Sequence, residues 1–309
     1  MTLVLITEGM DAQDWRRALI RVAPEIDVRI WPDVGRGEGI TFAVAWNAPE
    51  GIWAALPDLR AVSSAGAGVD RLLADPDLPA DLPVVRLVDE RLAGGMAEYV
   101  LLHVLRIHRR LAELQAAQAE RRWIGFATPD TPATTVGVLG LGAIGSDVAL
   151  KLAAIGFRTI GWSRSHKELH GVETFSGTAE LREFLGLCDY CVCLLPLTPD
   201  TAGILNAETM ALLPKGSHLI NAGRGGHVVE ADLLAALDSG RIASATLDVF
   251  ATEPLPPAHP FWRHPAITVT PHNAADTVPL SAASQIAENY TRLSQGRPLL
   301  NLVDRGRGY

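Results

Sequence analysis

Three residues in the second half of the chain have the types and the spacing that proton-coupled chemistry on a small acid would use. Arg224 in "INAGRGG", Glu253 in "TLDVFATEP" and His272 in "VTPHNAA" each follow a short β-forming run. In open parallel sheets, ligands bind outside the carboxyl ends of the strands, so these strand ends would bring the three together. Arginine presents a rigid donor fork suited to a carboxylate and its neighbouring carbonyl. Histidine can hand over a proton near working pH. A glutamate bonded to that imidazole would orient it for donation. Taken singly, each has a plainer reading: a surface charge, a turn residue before Pro254, one of nine histidines. Their joint placement favours one constellation. Its chemistry would be reduction of a 2-oxo acid, with hydride added to C2 and a proton to the oxygen.

Such a reaction needs a hydride carrier, and "TVGVLGLGAIGSDVALKLAAIGF" supplies a place for one. Gly140, Gly142 and Gly145 form G-x-G-x-x-G between a predicted strand and a predicted helix, with Leu141, Ala143 and Ile144 between them. The first glycine permits the turn, the second lets a pyrophosphate approach the backbone, and the third lets helix and strand pack closely. The next strand of such a unit usually ends in an acid that binds the ribose hydroxyls of NAD. Here "TIGWSRSHK" places Ser163, Arg164 and Ser165 there, eighteen positions after Gly145. An acid would repel a 2′-phosphate, whereas Arg164 can pair with one and the serines can hydrogen-bond to it. Lys167 adds charge nearby. The reading favours NADP(H); an exposed polar loop beside NAD(H) is the alternative.

The elements that must position these groups alternate along the chain. "LVLIT", "VRIW", "FAVAWN" and "RAVSSAG" read as strands, and "DAQDWRRALIRVA" and "GVDRLLAD" as helices. A helical stretch from Met96 to Ala119 follows, with Val100, Val104, Ile107, Leu111 and Leu114 at helical spacing. After "WIGFATPDTPATT" a second alternating unit begins, with strands "TVGVL", "FRTIGW", "YCVCLL", "SHLINA", "SATLDV" and "AITVT". The helix in "VVEADLLAALDSG" ends at Gly240, and "PLSAASQIAENYTRLSQG" is amphipathic before an extended tail. Alternation of this kind predicts two doubly wound parallel-sheet α/β domains.

Composition excludes several function classes. The chain has 309 residues, 48% hydrophobic and 20% charged, enough for two domains with a substantial core. A net charge of −8 argues against nucleic acid or an anionic membrane as partner. No apolar run nears the ~20 residues of a membrane span, and the start lacks a basic leader, so the cytoplasm is the expected compartment. Cys188, Cys191 and Cys193 form Cys-x-x-Cys-x-Cys, a spacing that could suggest a metal. Their run continues into "LLPLTPDT", which reads as a buried strand with core thiols and no metal.

Taken together, these motifs resemble the D-isomer-specific 2-hydroxyacid dehydrogenases, and most of all their glyoxylate/hydroxypyruvate reductase A branch. The resemblance rests on "SSAGAGVD", "MAEYVLLHVLR", "TVGVLGLGAIG", "GWSRS", "CLLPLTPDTAGILN", "INAGRGGHVVEADLLAALDSG", "LDVFATEPLP", "HPFWRHP" and "TPHNAA", spread over nearly the whole chain. It implies a flavodoxin-like substrate domain from residues 1–94 and 276–309, and a Rossmann-like NAD(P)-binding domain from residues 95–275. It implies the substrate anchor, orienting acid and proton donor roles for Arg224, Glu253 and His272. Backbone amides of Ala67 and Gly68 would bind the substrate carboxylate, and Trp46 would help wall the pocket. Asp248 would meet the nicotinamide carboxamide, with Thr198 and Ala222 along the cofactor. The long helices after Met96 and Pro279 would link the domains and support a homodimer. The implied reactions are glyoxylate to glycolate and hydroxypyruvate to D-glycerate, with NADPH. Other readings are an NAD-linked dehydrogenase of another D-2-hydroxy acid and, in a different class, a non-catalytic dinucleotide sensor. One departure stands out: Asn273 follows the Pro-His, where the family more often has an aliphatic residue.

Overall fold

The structure is a computed structural model that describes residues 2–309. Two compact units divide the chain, Met1–Leu92 with Asp276–Tyr309, and Ala93–Ala275.

The first unit runs β1 (Thr2–Thr7), α1 (Ala12–Val22), β2 (Asp27–Ile30), β3 (Ile40–Trp46), β4 (Ala61–Ser64), α2 (Asp70–Leu73) and β5 (Val84–Val85), and is completed by the C-terminal helix Pro279–Ser294. Its five strands are parallel in the order β2-β1-β3-β4-β5, the flavodoxin-like winding expected of it. β1 and β3 are almost continuously apolar because both faces of the sheet are covered. α1 begins at Asp11, whose carboxylate accepts the Gln13 and Asp14 N–H groups that an unstarted helix would leave unpaired. Its Trp15, Ala18 and Leu19 share one buried cluster with Ala282, Ala283 and Ile286 of the C-terminal helix. β5 was not foreseen, since two residues carry no periodicity. The tail is less extended than its composition suggested: Leu302 bridges to Val85, and the chain then turns at Asp304, whose carbonyl accepts from Gly308 N–H.

After α3 (Glu90–His108), which belongs to the second unit from Ala93 on, that unit runs α4 (Leu111–Ala119), β6 (Thr135–Leu139), α5 (Ala143–Ile155), β7 (Arg158–Ser163), β8 (Glu173–Ser176), α6 (Gly177–Leu187), β9 (Tyr190–Cys193), α7 (Ala207–Leu212), β10 (Ser217–Asn221), α8 (Glu230–Asp238), β11 (Ile242–Leu247) and β12 (Ile267–Val269). Seven parallel strands lie in the order β12-β11-β10-β9-β6-β7-β8. The winding reverses between β6 and β9, the switch point where doubly wound sheets open a crevice.

The single helix expected over Met96–Ala119 is two. α3 starts earlier, at Glu90, and runs through Gly94 and Gly95, which interrupt the apolar period without breaking the helix. It ends at His108, and Arg110 takes a left-handed conformation (φ +51°) before α4. No glycine or proline marks that break. The Arg110 guanidinium pairs with Glu113 and lies 4.0 Å from the Phe126 ring centre, contacts that hold the bend. β8 also escaped the sequence reading, since "ETFS" is short and half polar. All three cysteines are buried. Cys191 and Cys193 lie in β9 within the apolar cluster, and Cys188 lends its Sγ–H to the Phe184 carbonyl 3.2 Å away. Burial pushes the Cys193 thiol up to about 12, and the hydrogen bond with Cys188, together with burial, pushes Cys191 well above its ordinary range, which keeps these thiols protonated.

Candidate active site

The glycine loop between β6 and α5 shows why each glycine is there. Gly140 has φ +104°, and any side chain on it would press on the Leu194 backbone. A Cβ on Gly145 would overlap the Gly140 carbonyl oxygen, so helix and strand could not approach as they do. Gly142 differs: its φ is ordinary and a Cβ there would meet nothing within 4 Å. No protein atom requires that glycine, but a ligand approaching the backbone would. It is exposed and is the N-cap of α5, with no side-chain cap on the first-turn N–H groups. Ala143 is exposed and Ile144 half-buried beside it, whereas Leu141 is buried and packs over Gly161 of β7. These features fit a dinucleotide pyrophosphate.

At the end of β7, Ser163 is buried and donates its hydroxyl to the Ser165 carbonyl at 2.7 Å, which closes the turn that carries Arg164. Arg164 and Ser165 are exposed there. Within the turn Ser163 shapes the loop, and Arg164 and Ser165 are the groups presented outward. On the other side of the switch point, β9 leads to Thr198. Its N–H donates to Thr201 Oγ1 at 2.9 Å, and Thr201 in turn donates to the Pro196 carbonyl at 2.7 Å. Ala222, just past β10, is buried.

The charged groups follow the next strands. Arg224 lies three residues past β10 and is partly buried. Its carbonyl accepts from the Asn221 side-chain amide at 2.9 Å, and its Nη1 donates to the Gly223 carbonyl at 2.8 Å. Gly225 seats this turn directly on the Phe250 backbone, since any Cβ on it would overlap Phe250 and Ala251. The Phe250 N–H donates to Glu253 Oε1 at 3.0 Å. Glu253 Oε2 is 2.8 Å from His272 Nδ1. A carboxylate oxygen only accepts, so Nδ1 carries a proton and Nε2 is left to act. The structure thus brings Glu253 and His272 into one dyad and packs the Arg224 turn against the loop that holds its acid.

His272 itself has a left-handed backbone (φ +53°), uncommon for a residue with a side chain. Asp248 holds it there. The Asp248 carbonyl accepts the His272 N–H at 2.8 Å, and its carboxylate accepts the Asn273 and Ala274 N–H groups at 3.0 and 2.9 Å and the Thr270 hydroxyl at 2.6 Å. Asp248 is 1% exposed. Within the chain it therefore acts as the anchor of the histidine loop, a role in addition to the cofactor contact expected of it. Asn273 contributes its backbone to this anchor.

Two residues of this network were not singled out from the sequence. Thr270 donates to Asp248, so the Tyr99 hydroxyl 2.7 Å away donates to Thr270. Burial pushes the Tyr99 phenol well above its ordinary range and keeps it a donor. His103, one helical turn on, lies 4.4 Å from the Tyr99 ring centre, and burial pushes it down toward the neutral form. Tyr99 sits in the "MAEYVLLHVLR" helix where its spacing also suits a core residue, so nothing local distinguishes the two roles.

In the first unit, Trp46 ends β3 and Ala67 and Gly68 lie in the turn after β4. Ser64 Oγ accepts the Gly66 N–H at 3.1 Å and donates to the Gly68 carbonyl at 2.8 Å, which fixes that turn. The Trp46 ring lies on Gly66, where a Cβ would come within 2.9 Å of it. Both segments follow the carboxyl ends of adjacent strands.

With this geometry in view, comparison with known proteins gives consistent matches. The family described as D-isomer specific 2-hydroxyacid dehydrogenase, NAD binding domain, matches residues 101–274. A glyoxylate/hydroxypyruvate reductase A of Serratia proteamaculans is 42% identical over 314 aligned positions, covering all of both chains. Among solved structures, a D-isomer specific 2-hydroxyacid dehydrogenase of Xanthobacter autotrophicus Py2, in complex with NADPH and MES, matches with a TM-score of 0.95 and 46% identity. That match covers 100% of this chain and 99% of the other. An NADPH-dependent glyoxylate/hydroxypyruvate reductase of Sinorhizobium meliloti, in complex with NADP and sulfate, matches with a TM-score of 0.93 and 40% identity over 100% and 99% of the two chains.

Proposed function

The chain belongs to the D-isomer-specific 2-hydroxyacid dehydrogenases, and we propose from that premise that it reduces small 2-oxo acids, glyoxylate to glycolate and hydroxypyruvate to D-glycerate, with NADPH. The observation that carries this reading is the His272–Glu253 dyad, 2.8 Å apart, with the imidazole's other nitrogen left to meet a substrate oxygen. NADPH, when bound, supplies the hydride that adds to C2 of the ketone.

The chain's own groups do the rest. Gly140 to Gly145 and the first turn of α5 would hold the pyrophosphate, and Ser163, Arg164, Ser165, Thr198, Ala222 and Asp248 would complete the cofactor site. Arg224 holds the carboxylate and polarises the carbonyl with its planar fork, so charge developing on the oxygen meets a fixed cation. His272 gives its Nε2 proton to that oxygen and is left neutral, with Nδ1–H still bonded to Glu253. Glu253 keeps the ring in one orientation through both states, and Asp248 keeps the loop beneath it from relaxing. Ala67 and Gly68 are assigned to the substrate carboxylate through their backbone N–H groups, and Trp46 to the wall of the pocket.

The test is the initial rate of absorbance loss at 340 nm with glyoxylate or hydroxypyruvate, run in parallel with NADPH and NADH. Turnover that strongly favours NADPH is expected. No turnover with any 2-oxo acid would overturn the assignment. Arg164→Ala is expected to raise the KM for NADPH by about tenfold or more and to leave that for NADH nearly unchanged, since of the two cofactors only NADPH carries a 2′-phosphate for the guanidinium to meet. Equal loss with both cofactors would reduce Arg164 to a structural residue.

The same reading takes the enzyme to be a homodimer in the cytoplasm, where unpaired thiols stay reduced. Support for the dimer comes from the apolar surface of α3, α4 and the segment after them: Leu102 is 59% exposed, Leu111 and Leu114 are exposed, and Trp123 is fully so. Exposed apolar side chains of this kind are what a dimer contact would cover, which supports that reading. Light scattering is expected to give twice the chain mass, and Leu102→Glu with Trp123→Ser to halve it. A monomeric wild type would sink the dimer.

A further inference from the structure

His227 is a histidine that the reaction does not use, yet it is fully buried beside the residues that do. It closes the short 3₁₀ turn Gly225–His227 in "AGRGGH". Its Nδ1 accepts the Arg224 N–H at 3.1 Å, and its Nε2 lies 3.2 Å from the Pro196 carbonyl oxygen. A carbonyl only accepts, so Nε2 carries the proton and Nδ1 is bare: both contacts select one neutral tautomer. The Pro196 carbonyl also accepts the Thr201 hydroxyl at 2.7 Å, and Thr201 Oγ1 accepts the Thr198 N–H. The His227 N–H donates to the Arg224 carbonyl at 3.2 Å, and its own carbonyl accepts the Leu205 N–H at 2.9 Å. Gly223 leaves room for the ring, since a Cβ there would come 3.1 Å from it. One imidazole therefore ties the turn that carries Arg224 to the turn that carries Thr198.

We propose that His227 is a positioning residue that sets Arg224 and the Thr198 turn in mutual register, and so couples the anchoring of the 2-oxo acid to the binding of the nicotinamide cofactor. This rests on the reading of Arg224 as substrate anchor. A leucine of similar volume would fill the space but would leave the Arg224 N–H and one Pro196 lone pair without partners in a buried site. Nothing about core packing demands a ring with an acceptor on one side and a donor on the other.

The two nitrogens can be separated by substitution. Asn places its oxygen near the Nδ1 position and falls short of Pro196, while Gln places an amide near the Nε2 position and gives up the contact to Arg224. His227→Asn is expected to keep the glyoxylate KM within about threefold and to raise the NADPH Kd, read by fluorescence titration, about tenfold. His227→Gln is expected to do the reverse. His227→Phe, which removes both contacts while keeping the ring, should raise both by about tenfold or more. Losses that run in parallel for the two ligands and follow the melting temperature would overturn the proposal and leave His227 a packing residue, as would no change in either. Where Phe does not fold, the Asn and Gln pair decides by itself. Arg224→Lys in the same assays separates the premise from the proposal. An unchanged glyoxylate KM in that variant removes Arg224 as anchor and the proposal with it. A raised KM, without the split between Asn and Gln, removes only the role of His227.

Discussion

His272→Ala is expected to lower kcat for glyoxylate by about 10²–10⁴-fold while the NADPH Kd stays within a few-fold of wild type, because a positioned general acid supplies about that factor. The geometry makes the effect specific to the proton transfer. Nδ1 is held by Glu253 at 2.8 Å, and the loop is held from behind by three hydrogen bonds to the Asp248 carboxylate. Removing the imidazole leaves those contacts to Asp248 in place, so the cofactor site should survive. His272→Gln offers a close control, since it fills much of the volume but has no proton to lose near neutral pH. Single-turnover rates of cofactor oxidation at saturating 2-oxo acid would read the chemical step directly. Wild-type turnover in either variant would end the assignment of His272 as proton donor. A loss of NADPH binding of the same size as the loss of kcat would point instead to a collapsed loop.

Arg224→Ala is expected to lower kcat/KM for 2-oxo acids by about 10²–10³-fold, mostly through KM, as for removal of one partner of a desolvated charge pair. Arg224→Lys restores the charge without the fork and should recover only part of that loss. The measurement is a full saturation curve with glyoxylate and hydroxypyruvate at fixed NADPH, together with the NADPH Kd in the absence of substrate. Arg224 sits on a turn whose Gly225 is pressed on the Phe250 backbone, so its place depends on the loop that also holds Glu253. The variant that changes only the side chain leaves that contact intact. A kcat/KM that changes less than threefold in Arg224→Ala would remove the residue from the site.

The particular successes and misses of the sequence reading have physical causes. β6, β7, β9, β10 and β11 were visible because each is a short, largely buried run rich in apolar and β-branched residues, set between helical segments. β5 and β8 were not, since two residues, or four half-polar ones, carry no period. The break at Arg110 could not be seen because no glycine or proline marks it, and the contacts that hold the left-handed residue, to Glu113 and Phe126, are made by side chains that would suit an exposed helix face equally well. The glycine loop was legible from its spacing between strand and helix, where Gly140 and Gly145 each answer a steric demand and Gly142 answers none within the chain.

The sequence by itself determined the residue types, their order after successive strands, and hence the class of chemistry. Arg224, Glu253 and His272 could be named because strand ends in a parallel sheet converge by topology, whatever the details of packing. Only the tertiary structure decided how they are held. Glu253 binds His272 across nineteen residues, Thr270 and Asp248 across twenty-two, and Tyr99 reaches Thr270 across a hundred and seventy-one. Hydrogen bonds of that separation leave no periodic trace, because each partner satisfies its own element's pattern equally well as a core, turn or surface residue. Asp248 shows the difference most plainly: its position at a strand end was evident from the chain, while the three donors gathered on its carboxylate exist only once β11 and the loop after β12 lie side by side.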